Sequence, residues 1–474
     1  MTATGRWQRL NPMDAMFLRL EKPDWPCHYG VLLTLDGTPW MDADGSLPLA
    51  DLTTRIERRL AGVPRLRRRL LDPGPLLGRP LWVDDPQFDI HAQVRRAQVP
   101  APGGDAELLA AALGAYDTLL DSSRPLWELW FLTGATAGRV GVLLKLHHTV
   151  ADGLAAVELA GALTDATPDA PDPGSTVWTP APPPTKRALA RDRIAGLTAG
   201  ARATAESARA ALRERREQPR ADVGRSPINL LRTLRGFAGS GGAAASALNA
   251  PVRAGRRVAS VEMDLAFVKT VAHAHGGTVN DVALALWAGG LRALLASRGL
   301  PLTGVEVAAG QTVTLRGAGT TASLDNQVGS VMLRLPVWEA NPARRLALVV
   351  ERTRAAKASQ RPAAIMAVLA ALAATPFGRV YSAHQRAGNV ICTNVRGPTA
   401  TRYLLGAPIL SVLPIIELVG NIALTQIAYS YAGQILLATT ADATAFSDLD
   451  VLVDGMADEW AALIAGLDPG GVHA

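Results

Sequence analysis

Cysteine is almost missing from this chain: Cys27 and Cys392 are the two in 474 residues. Two thiols cannot build a disulfide scaffold, and without a four-cysteine cluster a thiolate zinc site is excluded. Both sit in plain surroundings, Pro-Cys-His-Tyr and Ile-Cys-Thr-Asn, and read as small packing residues. Lysine is scarce too, five of 48 basic residues, a skew that reflects base composition of the genome more than function. Long hydrophobic runs are also lacking. Met1 to Asp14 holds no apolar stretch of the kind that forms a secretion signal. The longest uncharged run, Leu418 to Ala441, carries Asn421, Thr425, Gln426, Ser430, Gly433 and Gln434, and its Ile, Tyr and Thr content reads as buried strands. The Ala-rich run Pro362–Gly378 is interrupted by Pro376. No G-x-S-x-G elbow surrounds a serine and no G-x-x-x-x-G-K-[ST] phosphate loop occurs. The chain reads as a soluble or membrane-surface protein.

What is present is enough apolar residue, 48% against 19% charged, to bury a substantial core, and enough length for two or three units. Charge is uneven. Between Lys186 and Arg257 there are 16 basic and five acidic residues, a local +11, so the rest of the chain carries −5 of the formal +6. Breaker-rich stretches, Thr167–Gly174 and Thr179–Thr185, precede it. The expected organisation is a first domain over 1–180, a Pro-rich then basic helical crossover over 181–257, and a second domain over 258–474.

Both halves read as α/β. In the first, strands are expected at Tyr29–Leu35 and Arg139–His147, and helices at Leu52–Leu60 (N-cap Asp51) and Gly153–Leu163. In the second, Val258–Met263 is strand-like, Leu265–His275 and Thr278–Leu295 are helical, and Gly329–Pro336 and Ile409–Leu437 are rich in strand signals. Trp127 and Trp130 are expected in the core.

One stretch carries chemistry: Gly141-Val-Leu-Leu-Lys-Leu-His-His-Thr-Val-Ala-Asp-Gly153. Period two along a strand puts Val142, Leu144, Leu146 and His148 on one face, and Leu143, Lys145 and His147 on the other. Adjacent histidines pointing opposite ways do not chelate one ion, and no metal site is expected. His148, at a strand end, suits a general base, since imidazole titrates near neutrality. Asp152 orients the turn or the imidazole, or simply caps the helix that begins at Gly153, where glycine allows close approach. An adjacent His pair followed by an acid and Gly at these offsets arises by chance roughly once in a thousand such chains, so motif outweighs coincidence.

His147-His148-Thr-Val-Ala-Asp152-Gly153 resembles the HHxxxDG motif of coenzyme A-dependent acyltransferases with the chloramphenicol acetyltransferase-like fold. The flanks Asn11–Phe17, Val63–Leu70, Trp82–Asp89 and Arg124-Pro-Leu-Trp127-Glu narrow the resemblance to the bacterial wax ester synthase/diacylglycerol acyltransferase family. Thr278-Val-Asn280-Asp281, Thr393-Asn394-Val-Arg-Gly397-Pro398 and Asp448-Leu-Asp450 continue it. Departures are Thr393 and Arg396, where that family tends to Ser and Pro, and Leu324-Asp325-Asn326-Gln327, where it tends to Gly-Asn.

The resemblance implies two mixed α/β domains flanking a tunnel, with acyl-CoA as substrate, not cofactor, and diacylglycerol or a long-chain alcohol as acceptor. In it His148 deprotonates the hydroxyl, while His147, Asp152 and Gly153 shape the loop. Asn280 and Asp281 either start a helix through a Thr278–Asp281 capping box or serve the site; Thr393 and Asn394 are candidates for an oxyanion donor. The basic crossover is read as a solvated linker or as a contact with an anionic membrane or lipid-droplet surface; nucleic acid is disfavoured, as no binding module or interleaved aromatics occur. A cytoplasmic protein, peripheral on such a surface, is expected. The alternatives are transfer to specialised lipids or from carrier-bound acyl groups, and a non-catalytic lipid-binding member.

Overall fold

The computed structural model describes residues 7–42, 46–174, 178–198, 202, 243–315, 327–359 and 362–466. Most of the basic crossover and the Leu324–Asn326 stretch lie outside the described residues. The rest is mixed α/β, built on two six-stranded sheets flanked by helices.

In the first sheet the order is Tyr403–Leu404, Ala407–Ile415, His28–Asp36, Arg139–His147, Trp127–Thr133, Val94–Gln98. All neighbours run antiparallel except the last pair. In the second the order is Val328–Leu335, Val307–Thr314, Val390–Arg396, Leu424–Tyr431, Gln434–Asp442, Arg256–Asp264. There Val390–Arg396 is parallel to both of its neighbours. A short third sheet joins Trp7–Arg9, Leu81–Asp84 and Arg68–Leu71.

Sheet membership crosses sequence order. The strand-rich stretch Ile409–Leu437 is not one unit: it contributes to three strands, and the first of them, Ala407–Ile415, joins the other half of the chain. It pairs antiparallel with His28–Asp36, Gly30 opposite Ile415 and Leu33 opposite Val412. Without it, His28–Asp36 would present an open hydrogen-bonding edge, which sheets avoid.

Helix starts follow local chemistry. Asp152 caps Gly153–Leu163, Asp264 caps Leu265–Ala274, and Thr278 with Asp281 forms a capping box on Val279–Ser297. The first helix expectation needs correction. The helix runs Leu49–Arg59 from Pro48, and Asp51 is not its cap but an acid in the first turn, where the helix dipole favours negative charge. Val279–Ser297 is long and apolar enough by composition to cross a membrane, but 72% of its apolar window is buried, against the second sheet and the helix Leu449–Ala465.

Alternation on Arg139–His147 holds. Leu144, Leu146 and His148 face the cavity described below, whereas Lys145 is fully buried elsewhere, donating to the carbonyls of Ala115 and Thr118 and the Thr118 hydroxyl, with Glu128 3.5 Å away. Burial pushes the Lys145 ammonium below its ordinary value, against the pull of Glu128. Lys145→Met should cost about 1–3 kcal/mol of stability, because buried acceptors lose their donor. Activity per folded molecule should persist, since the lysine faces away from His148; denaturant titration paired with turnover checks both.

Candidate active site

The site forms where Arg139–His147 runs out into the turn before the helix Gly153–Leu163. His148 donates its backbone N–H to the Cys27 carbonyl (2.8 Å), and the Val150 N–H returns to His147 O (2.8 Å). Tyr29, on the paired strand, donates its hydroxyl to Ala151 O at 3.2 Å. The turn is therefore pinned from three sides.

The two histidines meet different surroundings. His147 is fully buried; its Nδ1 accepts the Thr149 N–H (3.1 Å) and lies 2.8 Å from the Thr149 hydroxyl. Accepting at Nδ1 places the neutral ring's proton on Nε2, which faces Glu21 Oε1 at 3.4 Å. Burial pushes the Glu21 carboxyl up, but hydrogen bonding and attraction from His147 outweigh that and hold it below its usual value. The His148 ring instead lies in an apolar cavity. It stacks on Phe17 (centroids 4.0 Å, 10° between planes), meets Tyr29 edge-on at 5.6 Å, and has Nε2 3.3 Å from Glu417 Oε1.

Asp152 does more than cap. One carboxylate oxygen accepts the Ala155 N–H (2.9 Å) and the other accepts the Gln327 N–H (3.0 Å), at the entry to the second sheet's edge strand. Beside it, a Cβ on Gly153 would sit 3.2 Å from Val395 Cγ2, so the glycine lets the helix start press against Val390–Arg396. One turn thus touches both sheets.

The cavity has a volume of about 380 Å³. Phe17, Leu144 and Val157 line it from the first half, and Val395 and Ile427 from the second. Of the residues singled out in the sequence, His148, Gly153 and Thr393 line it; His147, Asp152, Asn280, Asp281 and Asn394 do not. Alternation on Val390–Arg396 explains the split within Thr393-Asn394. Ile391, Thr393 and Val395 face the cavity, while Asn394 is exposed and donates to Asn280 Oδ1 at 3.3 Å. Thr393 shares a 2.7 Å hydrogen bond with the Thr312 hydroxyl. Asp281 is held by structure, bonding Thr278 through one oxygen and accepting the Thr353 hydroxyl (2.6 Å) through the other.

Sequence reasoning missed Glu417, Phe17 and Tyr29. Glu417 had a signal: it is the first acid after Glu351, inside the apolar run Leu413-Pro-Ile-Ile-Glu-Leu-Val. Among the described residues, no group of three or more His, Cys, Asp or Glu is placed to hold a metal ion.

The chain is similar to known proteins in sequence and in fold. The sequence model of the wax ester synthase/diacylglycerol acyltransferase catalytic domain matches residues 10–283, and that of the C-terminal domain matches 324–463. A Mycobacterium tuberculosis protein named as a diacylglycerol O-acyltransferase is 30% identical over 468 residues, covering 96% of each chain. Another of that name from the same species is 32% identical over 479 residues, covering 97% of each. The structure of a wax ester synthase/diacylglycerol acyltransferase from Marinobacter aquaeolei VT8 superposes over 97% of this chain and 100% of that one (TM-score 0.66, 23% identity). The starter condensation domain of rhizomide synthetase in complex with C8-CoA and Leu-SNAC shares the fold (TM-score 0.56, 13% identity, 97% of this chain and 93% of that one).

Two variants separate turn geometry from chemistry. Asp152→Asn keeps one acceptor for Ala155 but offers an amide N–H to the Gln327 N–H, so stability should fall by about 1–3 kcal/mol with activity falling alongside. His147→Ala orphans the Thr149 N–H and should lower the melting midpoint while leaving measurable turnover. Calorimetry with steady-state kinetics reads both; an Asp152→Asn protein unchanged in stability and rate would reduce Asp152 to a cap.

Proposed function

The chain belongs to the wax ester synthase/diacylglycerol acyltransferase family, and on that premise we propose that His148 is the general base of its reaction. The family's enzymes are acyl-CoA-dependent O-acyltransferases of triacylglycerol and wax ester synthesis. One observation carries the assignment: among the described residues lining the cavity, His148 is the sole histidine, with its ring nitrogen Nε2 beside the sole carboxylate there, Glu417. Apolar walls suit an acyl chain, and a dry site strengthens each polar interaction within it.

His148 Nε2 takes the proton of the diacylglycerol or long-chain alcohol hydroxyl. The oxygen attacks the thioester carbonyl, the carbon–sulfur bond breaks, and the ester and free CoA form. Thr393 supports the carbonyl oxygen as its negative charge develops, since a hydroxyl accepting from Thr312 retains its own proton to donate. A thioester is already activated, so a held base and proximity supply much of the rate. His147, Asp152 and Gly153 serve the turn; Asn280 and Asn394 tie the start of Val279–Ser297 to the strand Val390–Arg396 from outside the cavity.

A lipid acceptor has to reach this cavity from a lipid surface. The helix Gly378–His384 offers the contact. Phe377 is 71% exposed and Val380 59%, while Gly378, Tyr381 and Ser382 line the cavity. Between Arg352 and Ile416 the sequence has eight Lys and Arg and no acid. Arg379 is exposed and bonds the Arg19 and Glu21 carbonyls, with Arg386 exposed nearby in sequence. Exposed apolar side chains on a segment that carries arginines and no acid fit an anionic membrane or droplet surface.

His148→Ala should cut acyl transfer to a soluble alcohol by roughly 10²–10⁴-fold with the melting midpoint preserved. A near-normal rate would remove His148 from the chemistry. Phe377→Ser with Val380→Ser should weaken binding to anionic vesicles and turnover of vesicle-borne diacylglycerol, but spare a short alcohol. Equal vesicle binding by variant and parent would exclude this surface.

A further inference from the structure

We propose that Glu417 is a positioning residue for His148: its carboxylate holds the imidazolium proton between abstraction from the acceptor and delivery to the leaving sulfur. The proposal rests on His148 being the base.

The geometry leaves the imidazole one way to work. Phe17 stacks on the ring, Tyr29 abuts its edge, and the backbone N–H is committed to Cys27 O. Nδ1 is buried, so Nε2 is the nitrogen that meets substrate. Glu417 Oε1 stands 3.3 Å from it, and both side chains are largely withdrawn from water, 17% exposed for His148 and 13% for Glu417. Glu417 follows the strand Ala407–Ile415, so the exchange of that strand into the first sheet delivers the carboxylate.

Two features separate Glu417 from a carboxylate kept for stability. Other buried carboxylates are taken up by structure: Glu128 faces Lys145 and Arg95, Glu459 faces Arg345, and Asp281 and Asp152 accept hydrogen bonds through both oxygens. Glu417 faces a ring whose charge appears and disappears during the proposed reaction. It is also the sole carboxylate among the described residues lining the cavity, and its Oε2 is buried with no hydrogen-bond partner among them. Burying an unmatched carboxylate oxygen is costly.

The proton balance is closed. With the neutral ring's own proton on Nδ1, the acceptor O–H bond breaks and an N–H bond forms at Nε2, so a neutral imidazole beside a carboxylate becomes an ion pair. That pair stabilises the developing imidazolium where the lining is apolar and attraction is weakly screened. The alkoxide oxygen bonds the acyl carbon, the sulfur leaves with the C–S electron pair, and the Nε2 proton passes to it. Glu417 ends unchanged. The other titratable groups around the ring have different commitments: burial raises the Tyr29 phenol and the Cys27 thiol well above their ordinary values, Glu21 faces His147, and Asp152 binds Ala155 and Gln327.

The test compares Glu417→Gln, Glu417→Asp, His148→Ala and the His148→Ala/Glu417→Gln double variant, using palmitoyl-CoA and a short soluble alcohol. Glu417→Gln should lower kcat roughly 10-fold to 100-fold with KM for acyl-CoA unchanged. The pH–rate profile of Glu417→Gln should differ from that of the parent protein. Glu417→Asp should recover part of the rate, and the double variant should be no slower than His148→Ala alone. Retention of kcat and the pH profile by Glu417→Gln, beside an inactive His148→Ala, would overturn this role and leave the base in place. Further loss in the double variant would also overturn it, since Glu417 would then act apart from His148. An active His148→Ala would overturn the base assignment itself.

Discussion

The pairing of Ala407–Ile415 with His28–Asp36 is the contact on which the rest depends. It closes the edge of the first sheet with a strand from the far half of the chain. It brings Glu417 to the end of Arg139–His147, because His28 lies opposite His147 on the neighbouring strand. It also places Ile409, Val412 and Pro414 on the cavity wall. Remove the pairing and His148 remains on its strand, but the cavity loses a side and the imidazole loses its carboxylate.

Asp152 adds a second tie between the halves. A single carboxylate accepts from the helix it caps and from Gln327 at the rim of the other sheet. The turn that carries His148 is thereby held by a strand on one side and by the second sheet on the other. A base works when it is held at hydrogen-bond distance from the proton it takes, and for His148, the proposed base, backbone elements fix the position of the ring's strand end. The side chain has little freedom of its own.

What was legible in the sequence was local. Period two along Arg139–His147 separated His148 from Lys145, and a Thr-x-x-Asp pattern announced the start of Val279–Ser297. The Asp281 carboxylate is occupied at the helix start by Thr278 and Thr353. What stayed hidden was non-local. Nothing near Ile409 says that its strand joins the first sheet, and Glu417 is 269 positions from His148 in numbering. Thr393-Asn394 read as one unit, yet the pleat sends one to the cavity and the other to Asn280. Asp51 misled because a good capping residue stood one place before an apolar periodic run that in fact begins earlier, at Leu49.

The central claim is that acyl acceptor and acyl donor meet at His148 Nε2, between the two sheets. It is tested most directly by a crystal structure of the protein with a non-transferable acyl-CoA analogue and a long-chain alcohol. The account predicts the alcohol oxygen within roughly 3 Å of Nε2, and close enough to the acyl carbon, about 3–3.5 Å, for attack. The acyl chain should run along Leu144, Val157, Val395 and Ile427. An alcohol oxygen bound away from His148, with the acyl carbon held by other groups, would contradict it.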